Sequence, residues 1–427
     1  KVNQNITIKV GKCVMNRKRR NAMMVFGAFA ILFTGYPHVW SIYQPYVMKA
    51  AGWSTGQASI CFYLPTMFFV LGNILGGRLQ DKKGPAPAMF IGGGILTAGV
   101  LISRYMLLPS PIWMYLTFGV MQGIGSGMIY APILSTAQKW FPGRTGFASG
   151  VVITANGICG LLMAPISKTL LEAGGPQLAF LTVGLLIGVS WILGTMFIRK
   201  PEETAEEKMP VFYGETHQYT SAEMVKTRKF YYLLCTMMCG LMAYYLTSPL
   251  SQTLQTDRGV SAALAVGSVM AGSILNAGMR LVLPSLSDKI GRIQCIKGVI
   301  LLSMAAMVFL ITGQKILTTL AVILIYGCFG GIMGSFPSLA SFIFGLKHSG
   351  QNYGIVMFGI VVVTALSPCI TNFIAAGQYP VNMTFFIGFV FSAAAFLFLT
   401  KLEKEIKNEK QEEQKQELKP QIKLQLK

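Results

Sequence analysis

The chain has 427 residues, 53% of them hydrophobic and only 12% charged, with a mean hydropathy of +0.54. Soluble domains carry about a quarter charged residues, so this composition excludes a water-soluble enzyme or binding module and describes a chain that lives in lipid. The formal charge of +20 does not point to nucleic acid, because Lys and Arg gather in the termini and short connections and form no basic face on a soluble segment.

Residues 1–22 are polar and basic, ending in the cluster Asn16-Arg17-Lys18-Arg19-Arg20. Met15 directly precedes that cluster and is a candidate start of translation, which would place 1–14 outside the native protein. The first apolar run, 23–47, is too long for a signal-peptide core and ends without a small-x-small cleavage site, so it reads as an anchor and first span. Further runs lie near 57–79, 87–106, 113–138, 147–170, 178–198, 230–253, 262–286, 294–312, 317–343, 352–376 and 380–400. About 20 residues at 1.5 Å each cross a bilayer core, and a backbone in lipid must satisfy its own hydrogen bonds, so the runs predict an all-α membrane protein.

The expected organisation is twelve transmembrane helices in two six-helix bundles, 23–198 and 230–400. Between them, 199–229 is the longest polar interior stretch and reads as a linker; 401–427 reads as a solvated, frayed helical tail. Lys82, Lys83, Lys139, Arg144, Lys289, Arg292 and Lys347 fall on one side with the basic N-terminus. The positive-inside rule then predicts both termini, linker and tail to be cytoplasmic in a cell membrane.

The halves repeat. Pro45 pairs with Pro249, Asp81 with Asp288, Pro132 with Pro337 and Pro165 with Pro368, at offsets of 203 to 207 residues. Parallel repeats of this kind are a transporter architecture in which substrate binds near the midplane between the halves. Gly119, Gly123 and Gly127 in the fourth run, and Gly327 and Gly331 in the tenth, form small-residue faces for close packing or for rocking of one half on the other.

Arg280 is the boldest charge in any long apolar run. A central arginine costs about 2.5–3.5 kcal/mol to insert, so it is expected to face protein or a watery cavity; the competing reading is a side chain snorkelling to the interface. Asn276 lies one helical turn before it on the same face. Two turns place an acid, a base and a glycine in one hairpin: Gly77-Arg78-Leu79-Gln80-Asp81-Lys82-Lys83-Gly84 and Ser285-Leu286-Ser287-Asp288-Lys289-Ile290-Gly291-Arg292. Asp81 is expected to accept from a helix N-terminus or to pair with Arg144, holding that side closed, with Asp288 and Arg292 in the matching role.

No metal or cofactor is expected. Cys61, Cys159, Cys235, Cys239, Cys328 and Cys369 lie inside apolar runs, and Cys235-x3-Cys239 has no histidine or acid beside it. There is no H-E-x-x-H motif and no intramembrane acid cluster, which argues against a membrane enzyme. His38 is the one side chain in a span that titrates near neutral pH, as a proton site or a structural histidine beside Pro37.

Two six-span halves, each with the acidic-basic-glycine turn after its second helix, resemble the major facilitator superfamily over about 22–400. Trp40-Ser41-Ile42-Tyr43, Lys139-Trp140-Phe141-Pro142 with Arg144, Arg280 with Ser287 to Arg292, and Asn352-Tyr353-Gly354 resemble its oxalate/formate antiporter and bacterial monocarboxylate transporter branch. The resemblance implies a monomeric carrier in the lipid bilayer that moves small organic anions by alternating access, with Arg280 as the carboxylate's partner. Tyr130 matches a family tyrosine, and His38, Asn156, Phe329 and Met333 stand where the oxalate carrier has aromatic residues. That carrier's second cation, a lysine of the eleventh span, is replaced here by Ile360, and 352–376 contains no Lys, Arg or His. One cation balances one carboxylate, so the expected substrate is a monocarboxylate such as lactate, pyruvate, formate or acetate. The coupling is proton symport or anion exchange; the alternatives are oxalate/formate exchange and, more remotely, drug efflux.

Overall fold

The computed structural model describes residues 17–199 and 217–425, without the side chains of 17–19, 38, 41, 55, 56, 59, 142, 375, 410 and 412–425. The candidate start at Met15 and most of the linker, 200–216, lie outside the described residues.

The first span is Arg17–Leu32, a 3-10 stretch Phe33–Val39 and Trp40–Ala51, bent by 51° across its middle. Pro37 lacks an N–H and sits inside the 3-10 stretch, which accounts for the break. The second span, Thr55–Lys83, starts with a capping box between Ser54 and Gln57 and stops at Gly84, whose φ of 90° is a glycine conformation. Pro85–Ser103 follows as the third. The fourth is Ile112–Met114, a π-helical stretch Tyr115–Met121 and Gln122–Trp140. Thr145–Phe197 is continuous in hydrogen bonding but leaves helical geometry at Gly174 and Gly175 before Pro176, so it makes the fifth and sixth spans.

In the second half, Arg228–Thr247, Ser248–Leu250 and Ser251–Asp257 form the seventh span and Ala262–Ile290 the eighth. Gly291, with φ 102°, turns the chain into Arg292–Thr312, the ninth. Lys315–Phe344 is the tenth, Ser349–Val356 with Phe358–Ala376 the eleventh, and Asn382–Gln425 the twelfth and the helical tail beyond it. Nine described helices are long and apolar enough to cross a membrane singly. Counting the bent first pair as one span, the kinked helix as two and the π-interrupted helix as one gives the twelve expected crossings.

The helices run several residues past the apolar runs at the charged-turn end, because the residues there, from Gln80 to Lys83 and from Ser287 to Ile290, continue the helix. The repeat is structural: Pro132 and Pro337 lie inside the fourth and tenth spans, Pro165 and Pro368 inside the fifth and eleventh. The glycine faces work within each half. A Cβ at Gly123 would stand 2.6 Å from the Pro65 carbonyl oxygen of the second span, and one at Gly327 would stand 2.7 Å from Leu275 of the eighth. Between halves, a Cβ at Gly146 would overlap the Pro284 carbonyl, and one at Gly77 the backbone of Gln351, so the fifth span lies against the eighth and the second against the eleventh.

Candidate functional site

The eighth span carries Arg280 into the space between the halves. Gly330 and Gly334 of the tenth span let it lie close behind: a Cβ at Gly334 would stand 2.8 Å from the Arg280 carbonyl oxygen. In front, Gly157 of the fifth span leaves room for the side chain, with 3.2 Å between its would-be Cβ and Arg280 Cδ. The residue is 6% exposed, so it does not snorkel. Its Nε donates to Asn276 Oδ1 at 2.9 Å, and its Nη1 makes long contacts, each 3.5 Å, to Asn156 Oδ1 and the Ile153 carbonyl oxygen. The guanidinium carbon lies 5.7 Å from the Phe329 ring centroid, and Phe329 stacks on Tyr244 at 4.0 Å. Tyr130 and Tyr245 line the same space as Arg280. No Asp or Glu forms an ion pair with it among the described residues.

Arg280 opens on a cavity of about 80 Å³. Its wall comes from the first, second, fourth and fifth spans of one half and the seventh, eighth, tenth and eleventh of the other, the arrangement a twofold repeat creates around its axis. Six expected residues line it together: Tyr130, Asn156, Arg280, Phe329, Met333 and Ile360. Asn276 stands behind, holding Arg280. His38 falls in the 3-10 stretch of the first span next to the lining Pro37, and its side chain lies outside the described set. The sequence reading missed Thr34, Phe69, Ser126, Tyr245 and Met357, which also line the cavity. Ser126 lies four residues before Tyr130, so one helical turn would have found it; Tyr245 sits in a run apolar on every side and gave no such signal.

The charged turns join the halves at one end. Asp288 accepts from Gly146 N at 3.1 Å and Phe147 N at 3.0 Å, capping the fifth span, and pairs with Arg292 at 2.9 Å. Arg292 also donates to Thr145 Oγ1 at 3.0 Å. Asp81 meets His348 Nδ1 at 3.5 Å, an ion pair when the imidazole is protonated. The expected Asp81 to Arg144 pair is not among the described contacts; Arg144 is exposed at the start of the fifth span. Gly84 and Gly291 supply the two positive-φ turns, and Gly77 the close approach to the eleventh span.

Further bonds cross at the same end: Lys139 Nζ to the Lys347 carbonyl at 3.0 Å, Ser135 to Ser349 at 2.8 Å and Ser341 to Gln138 Oε1 at 2.7 Å. Lys347 N in turn donates to Gln218 Oε1 at 3.0 Å, and Asn352 Nδ2 to the Tyr219 carbonyl at 2.9 Å, so the end of the linker holds the loop before the eleventh span and the start of that span. There the backbone N–H and hydroxyl of Thr220 keep the Glu223 carboxyl below the usual carboxylate range. Among the described residues, every hydrogen bond and ion pair between the halves lies between these turns and Arg280.

The chain is 28% identical to YhjX, an uncharacterised MFS-type transporter of Escherichia coli (strain K12), over 81% of this chain and 86% of that one. It is 27% identical to the oxalate:formate antiporter of Oxalobacter formigenes over 76% of this chain and 77% of that one. The fold is similar to the crystal structure of FucP, a transporter in the outward conformation, with a TM-score of 0.69 at 12% identity over 89% of this chain and 98% of that one. Residues 23–347 match the Major Facilitator Superfamily, and the chain belongs to that superfamily of membrane transporters.

Proposed function

We propose that this transporter carries small monocarboxylates by alternating access, with Arg280 as the group that binds the carboxylate. The observation that carries the reading is a buried guanidinium with no acid to neutralise it among the described residues. A buried charge is stable only when paired, so the cavity calls for an anion. Asn276 occupies Nε, which leaves the Nη end of the fork for two parallel bonds to a carboxylate.

Cavity size and lining support a small, singly charged acid. One water needs about 10–15 Å³ by the same measure, so about 80 Å³ suits a lactate-sized molecule better than a drug. Ile360, Met333 and Met357 supply apolar wall where a second carboxylate would need a cation. The Oxalobacter relative supports a carboxylate but leaves open whether this chain takes oxalate or formate. Oxalate/formate exchange is therefore the second reading, opposed by the absence of a second cation among the described residues that line the cavity.

Exchange is the better supported coupling. An empty carrier closing around Arg280 would desolvate an unpaired cation at a cost of several kcal/mol, whereas the anion-bound carrier closes with its charge balanced. We assign the charged-turn end to the cytoplasm by the positive-inside rule, in a cell membrane, and the contacts of Asp288, Arg292, Asp81 and Gly77 to a gate at that end. The test is uptake of labelled formate, lactate, pyruvate and oxalate into proteoliposomes, with and without internal anion or a proton gradient. Arg280-dependent monocarboxylate uptake that needs internal anion is expected. Uptake of none of the four acids would discard the carboxylate assignment, and gradient-driven uptake into anion-free vesicles would replace exchange by symport.

A further inference from the structure

We propose that Thr34 is a positioning residue that sets the orientation of the Asn156 amide and, through it, the guanidinium of Arg280. The inference rests on the reading of Arg280 as the anion's partner and assigns a role in the first half to a site centred in the second.

Thr34 Oγ1 donates its one hydrogen to the Ile31 carbonyl at 2.6 Å. With that hydrogen committed, the oxygen can only accept, and it accepts Asn156 Nδ2 at 2.9 Å. The amino end of the amide is thereby turned toward Thr34 and its carbonyl Oδ1 toward Arg280 Nη1, 3.5 Å away. A reversed amide would point N–H groups at a cation. Thr34 and Asn156 are 4% and 8% exposed, so water does little to correct a misturned amide. Gly35 makes the approach possible: a Cβ there would overlap the Asn156 carbonyl of the fifth span.

The long Nη1 contacts hold the fork in place without saturating it. Nη2 donates to no protein atom among the described residues, so Asn156 and Ile153 steer Nη1 by long contacts alone and both nitrogens stay available to a carboxylate. Because Thr34 belongs to the 3-10 stretch beside the 51° bend of the first span, the same hydroxyl ties that bend to the orientation of Arg280 across the interface.

The test compares Thr34→Val, which keeps shape and loses the hydroxyl, with Thr34→Ser, which restores it, each alone and with Asn156→Ala. KM and maximal rate are measured for whichever of formate, lactate, pyruvate or oxalate the wild type exchanges best, alongside thermal stability without anion. Thr34→Val is expected to raise KM about tenfold with a much smaller change in maximal rate, the size of one hydrogen bond to a charged group. Thr34→Ser should return KM to within about threefold of wild type, and Thr34→Val should add nothing in the Asn156→Ala background. An unchanged KM in Thr34→Val, with or without lost thermal stability, overturns the proposal, as does an equal effect in the Asn156→Ala background. A wild type that exchanges none of the four acids overturns the anion-carrier reading and this role with it; normal wild-type exchange with an unaffected Thr34→Val overturns this role alone.

Discussion

Arg280 joins two properties that a lysine cannot combine. Its Nε is used by Asn276 to set the plane of the fork, while the Nη end faces the cavity; an ammonium has no plane to set. Arg280→Lys is therefore expected to lower the ratio of maximal rate to KM by about a hundredfold or more, at normal expression, in exchange assays on purified protein. Ile360 lines the same cavity at 5% exposure. Ile360→Lys places a second cation there and is expected to improve competition by oxalate relative to lactate by about tenfold. An unchanged competition ratio would mean that a charge at 360 does not reach the bound anion.

The fifth and eighth helices form the closest seam between the halves. Gly146 lies so near the Pro284 carbonyl that any Cβ must push the helices apart, and the next bonds along the chain are those of Asp288 to Gly146 and Phe147. Gly146→Val is expected to hold the charged-turn end open. A cysteine placed at Ser126 in the cavity should then be labelled from that side by a membrane-impermeant thiol reagent at several times the rate seen with Gly146 intact. Asp288→Asn keeps the shape but loses the charge that faces both the helix N-terminus and Arg292, each favourable by about 0.3–2 kcal/mol, so it should shift accessibility in the same direction to a smaller degree.

Across the molecule, the polar contacts between the halves among the described residues lie between the charged turns and Arg280, on one side of the cavity. With an unneutralised Arg280 opposing closure of the empty carrier, efflux of preloaded lactate should accelerate about tenfold or more when external lactate is supplied, and this stimulation should disappear if Asn156→Asp supplies a resident counter-charge. Equal efflux with and without external anion would remove the argument for exchange.

The primary sequence determined the class of the molecule through local chemistry: apolar runs long enough to cross lipid, turns where Gly84 and Gly291 are needed for positive φ, and prolines repeated at a near-constant offset. Arg280 was legible for the same reason, because a charge in an apolar run is conspicuous wherever it points. What only the tertiary structure decided is which residues face it. Helices that are apolar all round carry no amphipathic stripe to mark an inner face, so Tyr245 and Phe69 were invisible as cavity residues, and Thr34 meets Asn156 from 122 positions away. A partner of Asp81 was likewise a matter of packing: the approach of the second span to the eleventh brings it to His348, 267 positions away.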